Sequence, residues 1–251
     1  MSEPKLVDVD ALLGRHPRRD VGLGTVGEML STMDRVGIAE AVVGHTISWL
    51  HDPVVGNRQL AGLIADEPRL RPSWVMLPDT CAEIGSPADF VAEALAAGVV
   101  AVRAYPNDHG YDLTGPDAGA VLDAVAAAGL PLLVDVLQAS WPAIEAVATA
   151  RPGWPVIACS PSYRALRRIA GVLDRAENVR LALSNFSTHC GVEWIVERFG
   201  PDRLLFGSGA PEHDPAEAVT RLLWSELDDD AVAAVGSGNL LTMLADRVGA
   251  A

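Results

Sequence analysis

Lysine is nearly absent from this chain: Lys5 is the sole example in 251 residues. A Schiff base to a carbonyl substrate, a pyridoxal phosphate link and a carbamylated bridge between metals each need a lysine beside the chemistry. Lys5 precedes the first predicted strand, so all three are excluded. Cysteine is scarce too. Cys81, Cys159 and Cys190 are odd in number and widely spaced, which excludes a disulfide framework and a CxxC zinc motif and predicts reduced thiols in a cytoplasm. No apolar run approaches the ~18 residues that span a bilayer. The opening MSEPKLVDVD has neither the basic nor the apolar part of a signal peptide, so a cytoplasmic location is expected. There is no Gly-x-Ser-x-Gly elbow, and Gly207-Ser208-Gly209 lacks its spacing. Positive charge is in deficit: 19 Lys and Arg against 33 Asp and Glu give a net charge of −14. Such a surface repels nucleic acid and anionic membranes, and neither is expected as a partner.

What the chain does have is apolar residues, 49% of the total, arranged in a repeating order. Short runs rich in Val, Ile and Leu predict strands at Leu6–Asp10, Ala39–Gly44, Arg71–Leu77, Val99–Ala104, Pro131–Val136, Pro155–Ser160, Val179–Ser184 and Arg203–Ser208. Amphipathic patterns predict a helix after each: Thr25–Val36, Gly56–Ala65, Pro87–Ala97, Pro116–Ala128, Trp141–Ala150, Tyr163–Ala176, Gly191–Phe199 and Pro215–Trp224. That alternation predicts an α/β fold, a (β/α)8 TIM barrel in one domain over residues 1–251, with Lys5 at its bottom. An extra C-terminal helix, Asp229–Arg247, is left to cap one end. An open doubly wound sheet is the alternative, but its phosphate-binding turn has only Gly22-Leu23-Gly24 as a candidate, short of a glycine and far from the first strand.

The segment Asn178–Pro211, NVRLALSNFSTHCGVEWIVERFGPDRLLFGSGAP, reads strand, loop, helix, strand. It resembles the last two βα units of the amidohydrolase-related family of TIM barrels, the group that includes aminocarboxymuconate semialdehyde decarboxylase. In that family the last strand reads DRLLFGSDxP, and its Asp is a metal ligand and general acid/base. Here the position is Gly209. The family's first strand reads IDVHxHLG; the stretch Val7-Asp8-Val9-Asp10-Ala11-Leu12-Leu13-Gly14 puts Asp10 and Leu12 where the two metal histidines belong. Asp135 falls on the strand 5 histidine, and Ser160, or else Cys159, on that of strand 6. The resemblance thus implies the family's barrel with its metal positions substituted. A zinc site needs three or four deprotonated donors converging within ~2.0–2.3 Å. Leu12 and Gly209 offer none, and Asp10 and Asp135 suit at most a weak, hydrated Mg²⁺. No metal or other cofactor is expected.

Asp10 and Asp135 are then the candidate catalytic pair. Two carboxylates in one partly dry cavity tend to separate in pKa, one ionised and one holding a proton. Arg103, at the end of strand 4, is the candidate clamp for a substrate carboxylate, or alternatively the counter-charge to one of the aspartates. Tyr105 and His109 follow it. His45 ends strand 2, Trp49 lies in the polar-aromatic loop beyond, Ser160 ends strand 6, Asn185 and His189 follow strand 7, and His213 follows strand 8; all are candidate substrate contacts, because function sits at this end of a barrel. Trp49 is a candidate pocket lid or interface residue. The expected function is that of a small-molecule enzyme using carboxylate acid/base chemistry without zinc, as a lyase, isomerase, cyclase or hydrolase of an activated substrate, with carboxylate-bearing molecules among the candidates. A non-catalytic relative acting as a binding or partner subunit is the second expectation. A metalloenzyme with ligands relocated among Asp8, Asp10, Asp135, His45 and His189 is the third. A homodimer is the default assembly, and a hetero-oligomer with a metal-bearing homologue is the other.

Overall fold

The computed structural model describes residues 4–17 and 23–249; Gly22, part of the glycine turn considered above, lies outside them. Eight parallel strands follow one another around the sheet in sequence order: β1 (Leu6–Leu13), β2 (Ile38–His45), β3 (Leu70–Val75), β4 (Ala101–Ala104), β5 (Leu132–Asp135), β6 (Val156–Cys159), β7 (Val179–Ala182) and β8 (Leu204–Leu205). The seam between last and first is joined by Val9 N–H to the Phe206 carbonyl at 3.0 Å, Gly209 N–H to that of Asp10 at 2.8 Å and Leu12 N–H to that of Ala210 at 2.8 Å. The fold is therefore the (β/α)8 barrel, and all eight predicted strands are present.

The helices are α1 (Val26–Val36), α2 (Thr46–Leu50), α3 (Pro53–Leu63), α4 (Pro87–Ala96), α5 (Pro116–Ala127), α6 (Trp141–Ala150), α7 (Leu166–Arg175), α8 (Gly191–Phe199), α9 (Pro215–Leu223), α10 (Asp229–Ala233) and α11 (Asn239–Gly249). Their starts follow local chemistry. Thr25 with Glu28 and Ser86 with Asp89 form capping boxes on α1 and α4, each side chain satisfying a backbone N–H the helix leaves orphaned. Two expectations need correction here. The segment after β2, expected as a loop, forms α2, because the His45 ring accepts the Ile47 N–H and caps a single turn. α3 starts at Pro53 rather than Gly56, because Asp52 caps it and proline suits a first helical turn.

The extra C-terminal helix is present, and its winding changes part-way along. A π turn at Ala234–Gly238 separates α10 from α11. Its Val235 carbonyl accepts the Phe206 N–H at 2.9 Å, completing the seam. A Cβ on Gly236 would come within 3.0 Å of Leu6 and 3.2 Å of the Lys5 carbonyl, so a side chain has little room there. Leu240 and Leu244 of α11 join Val7, Val9, Val42, Leu133 and Ile157 in the inner apolar cluster. α11 thus closes the bottom of the barrel, where Lys5 pairs with Glu40, and leaves the top for chemistry. Among the described residues no helix is long and apolar enough to cross a membrane.

Candidate active site

The site begins with an irregularity in β1. Asp8 pairs with Ala41 of β2, but Ala11 pairs with Val43, so β1 carries one residue more than its neighbour between them. Such a bulge flips the alternation of a strand. Val7 and Val9 pack inward below the bulge, while Asp10 and Leu12 line the mouth above it. The buried Asp8 carboxylate holds the bulge together: one oxygen accepts the N–H of Asp10 and that of Ser208, each at 2.9 Å.

Asp10 is fully engaged. One carboxylate oxygen meets Arg103 Nη1 at 2.8 Å and the other accepts the Ser184 hydroxyl at 2.8 Å. Arg103 spreads its remaining contacts over Ser73 Oγ at 2.9 Å and the carbonyls of Val9 and Ala11 at 3.4 and 3.3 Å. Arg103 is 4% exposed and Asp10 6%. Burial opposes the guanidinium charge, yet Tyr105, Asp10 and Cys159 together hold its pKa above the usual range. Of the two roles expected for Arg103, clamp or counter-charge, this pairing is that of counter-charge to an aspartate. The physical reason is that a buried charge needs its opposite close by.

Above the pair lies a cavity of about 150 Å³, a volume that holds a benzene-sized molecule in an apolar protein interior. Asp10, Arg103, Tyr105, Trp49, Asp135, Ser160, Asn185 and His213 line it, so these sequence candidates are brought together. Trp49 stacks on Tyr105 with ring centroids 5.4 Å apart and 17° between planes. Its indole N–H donates to Asp108 Oδ2 at 2.6 Å, and the Gln138 amide donates to the same oxygen at 2.7 Å. Asp135 has its pKa pushed up to about 6. Burial is the main cause; the Leu137 N–H and Ser160 oppose it, and the charges of Asp10 and Glu212 add to it. The Cys159 thiol is pushed far up by burial and by Asp10, which disfavours a thiolate.

Three candidates do not line this cavity. His45 is buried, with Nδ1 accepting the Ile47 N–H at 3.1 Å, and burial lowers its pKa. His109 sits behind Tyr105, edge-on at 5.9 Å, with Nε2 2.8 Å from the Trp49 carbonyl. His189 is exposed, beside the Cys190 sulfur at 3.5 Å. Local helix capping and ring packing take the first two away from the mouth, and the third lies on the outer part of its loop. Ser73, Ser184, Gln138 and Glu212 were not expected in the site. A serine at the end of an apolar run, as in Leu181-Ala182-Leu183-Ser184, was the readable signal for one of them.

The family described as Amidohydrolase matches residues 15–242. The chain belongs to that amidohydrolase family. No curated protein matches it in sequence. Among solved structures it is similar to 5-carboxyvanillate decarboxylase from Sphingomonas paucimobilis, at 15% identity and a TM-score of 0.78, over 97% of this chain and 99% of the other. It is similar to 2,6-dihydroxybenzoate decarboxylase from Rhizobium, at 13% identity and 0.76, over 96% and 99%. A third, 5-carboxyvanillate decarboxylase from Novosphingobium aromaticivorans complexed with manganese, has 12% identity and 0.77, over 97% and 96%. At such identities the likeness is one of fold.

Of the positions that the resemblance assigns to metal ligands, Leu12 and Gly209 carry no side-chain donor, and each Asp10 oxygen already accepts a hydrogen bond. Among the described residues no three His, Cys, Asp or Glu side chains converge as a metal-binding group. Gly209 has φ +69°, and a Cβ there would stand 2.8 Å from His213 Cδ2 and 3.0 Å from Ser184 Cβ. Gly209→Asp is therefore expected to destabilise the protein by about 1–3 kcal/mol through strain. Urea unfolding checks this, and equilibrium dialysis of Leu12→His/Gly209→Asp is expected to find no tight zinc.

Asp8 supplies a pH-dependent term. Burial, opposed by its hydrogen bonds from Ser208 and Asp10, raises its pKa from 3.8 to about 6. A raised acid favours the folded state while protonated. Its stabilisation is complete below about pH 3.8 and is lost as pH rises through about 6. Asp8→Asn keeps an acceptor for both N–H groups and removes the titration. Between about pH 4 and pH 8 its unfolding free energy is expected to gain up to about 3 kcal/mol on the native chain. A difference independent of pH in urea titrations would rule this out.

Proposed function

We propose that this amidohydrolase is a small-molecule enzyme that moves protons with Asp135 and needs no bound metal. One observation carries the reading: a carboxyl group with a pKa near 6 stands in the wall of a ring-sized cavity at the catalytic end of the barrel. A group poised near the working pH is half-loaded and can serve as acid or base. The Asp10–Arg103 pair forms the fixed floor, and Trp49, Tyr105, Ser160, Asn185 and His213 orient the substrate. Proton-transfer reactions suit this equipment: lactone opening, isomerisation, dehydration, or loss of CO₂ from an activated acid. The decarboxylases of the same fold act on aromatic acids, as their names say, which supports a lyase among these. The discriminating experiment is a reaction screen of single-ring lactones, enols and hydroxy acids on the native chain and Asp135→Asn, both after chelator treatment. Turnover that survives chelation and disappears in Asp135→Asn supports the reading. Turnover that requires added metal sinks it.

A second reading, a binding subunit without catalysis, is favoured by the buried Asp10–Arg103 pair, which ties up one of the two carboxylates expected to carry the chemistry. Ligand binding with no conversion in the same screen is its signature.

A further inference from the structure

We infer that Asp108 is a positioning residue of the site: one of its carboxylate oxygens sets the Trp49 ring at the cavity and ties it to the turn that carries Asp135. This rests on the reading of Asp135 as the proton carrier and adds how a ligand's ring is held beside it. Trp49, Gln138 and Asp135 line the cavity, and Asp108 stands behind them, so it acts through its neighbours. Its Oδ2 takes two donors from separate loops, the Trp49 indole N–H at 2.6 Å and the Gln138 amide at 2.7 Å. The Asp108 backbone N–H donates back to Gln138 Oε1 at 3.0 Å, which closes the knot. Hydrogen bonds to an ionised acceptor are the stronger kind.

Both ends of the knot reach the chemistry. At one end, α2 is only five residues long, too short to be rigid by itself. Trp49 stacks on the buried Tyr105 and meets His16 at 6.3 Å in a tilted contact. A stack fixes the distance between two rings but lets one slide across the other. The indole N–H on Asp108 removes that freedom, and the next residue, His109, holds the Trp49 carbonyl at 2.8 Å. At the other end, the Gln138 N–H donates to the Asp135 carbonyl at 2.9 Å and the Leu137 N–H to Asp135 Oδ1 at 2.6 Å. Gln138 therefore belongs to the turn that orients the proton-carrying carboxyl. Proton transfer needs that carboxyl and the bound ring held in one fixed relation, and Asp108 is the group that joins their supports.

The test is fluorine NMR on the full chain labelled with 5-fluorotryptophan, the Trp49 signal being identified by its loss in Trp49→Phe. Asp108 is exposed, so Asp108→Ala spares the core. That variant is expected to shift and broaden the Trp49 signal while the remaining tryptophan signals stay in place. Asp108→Asn, which keeps an oxygen for both donors, is expected to restore it. Gln138→Ala is expected to move the Trp49 signal in the same direction, because its amide bonds to Asp108. Calorimetry with phenol, a neutral single ring, gives the second readout: binding about ten-fold weaker in Asp108→Ala and within about three-fold of native in Asp108→Asn. A native Trp49 signal in Asp108→Ala would overturn the inference. A shift that Asp108→Asn fails to restore would assign the effect to lost charge and refute the hydrogen-bonded latch. No shift in Gln138→Ala would detach the Asp135 turn from it. Phenol that fails to bind the native chain would count against the cavity as the ligand site, and the fluorine signals would still decide what Asp108 does.

Discussion

Replacing Arg103 with leucine is expected to destabilise the protein by about 3–5 kcal/mol, the usual loss when one partner of a buried ion pair is removed. The reasoning is local. Asp10 keeps the Ser184 hydroxyl on one oxygen and loses the Arg103 guanidinium on the other. Ser73 and the carbonyls of Val9 and Ala11 lose a donor in the same change. Arg103→Lys is expected to recover part of the loss at most, because an ammonium cannot reproduce a fork that reaches both β1 and β3. Removing both charges in Asp10→Asn/Arg103→Leu is expected to be less harmful than the sum of the single changes, because no buried charge is left alone. Urea unfolding of the four variants and the native chain measures each term. A single Arg103→Leu within about 1 kcal/mol of native would mean that water reaches Asp10 and that the pair is not a buried one.

Asp135→Asn is expected to lower turnover by about 10²–10⁴-fold, the usual contribution of a positioned acid or base. The amide still accepts the Leu137 N–H through its oxygen, so the loop after β5 keeps its anchor. Ligand affinity is expected to stay within a few-fold, which separates loss of chemistry from loss of the site. The pH profile gives the second readout. If Asp135 acts as the acid, the rate is full below about 6 and falls as pH rises through that value. If it acts as the base, the profile is reversed. A profile that is flat across this range in the native chain would remove Asp135 from the chemistry.

The barrel was legible because its signals are local and repeated. Most strands are short runs rich in Val, Ile and Leu, and most helices begin at a side-chain cap or a proline, so boundaries agree with the structure to within a few residues. The floor of the site was legible only in part. Asp10, Arg103 and Asp135 stood out as charges at strand ends, and the alternative role of Arg103 as counter-charge followed from chemistry. That Arg103 would choose Asp10 depends on a contact between residues 93 positions apart, which no pattern along the chain encodes. The serines that complete the pair, Ser73 and Ser184, look like ordinary small residues until the barrel brings them inward. His45 and His109 misled for the converse reason. A histidine near a strand end looks functional, yet each ring is held by a neighbouring backbone group, Ile47 N–H in one case and the Trp49 carbonyl in the other.

The extra residue in β1 behaves like a change of reading frame. Below it, odd-numbered side chains face the interior; above it, even-numbered ones do. Any comparison with relatives at 12–16% identity that is anchored on Leu6 and counted upward in steps of two will place Ala11 in the mouth and Asp10 in the wall. Anchoring on Gly14 and counting downward recovers the correct pair. Correspondences between ligand-bearing positions in distant members of this fold are therefore sound only when the register is carried across the bulge residue by residue.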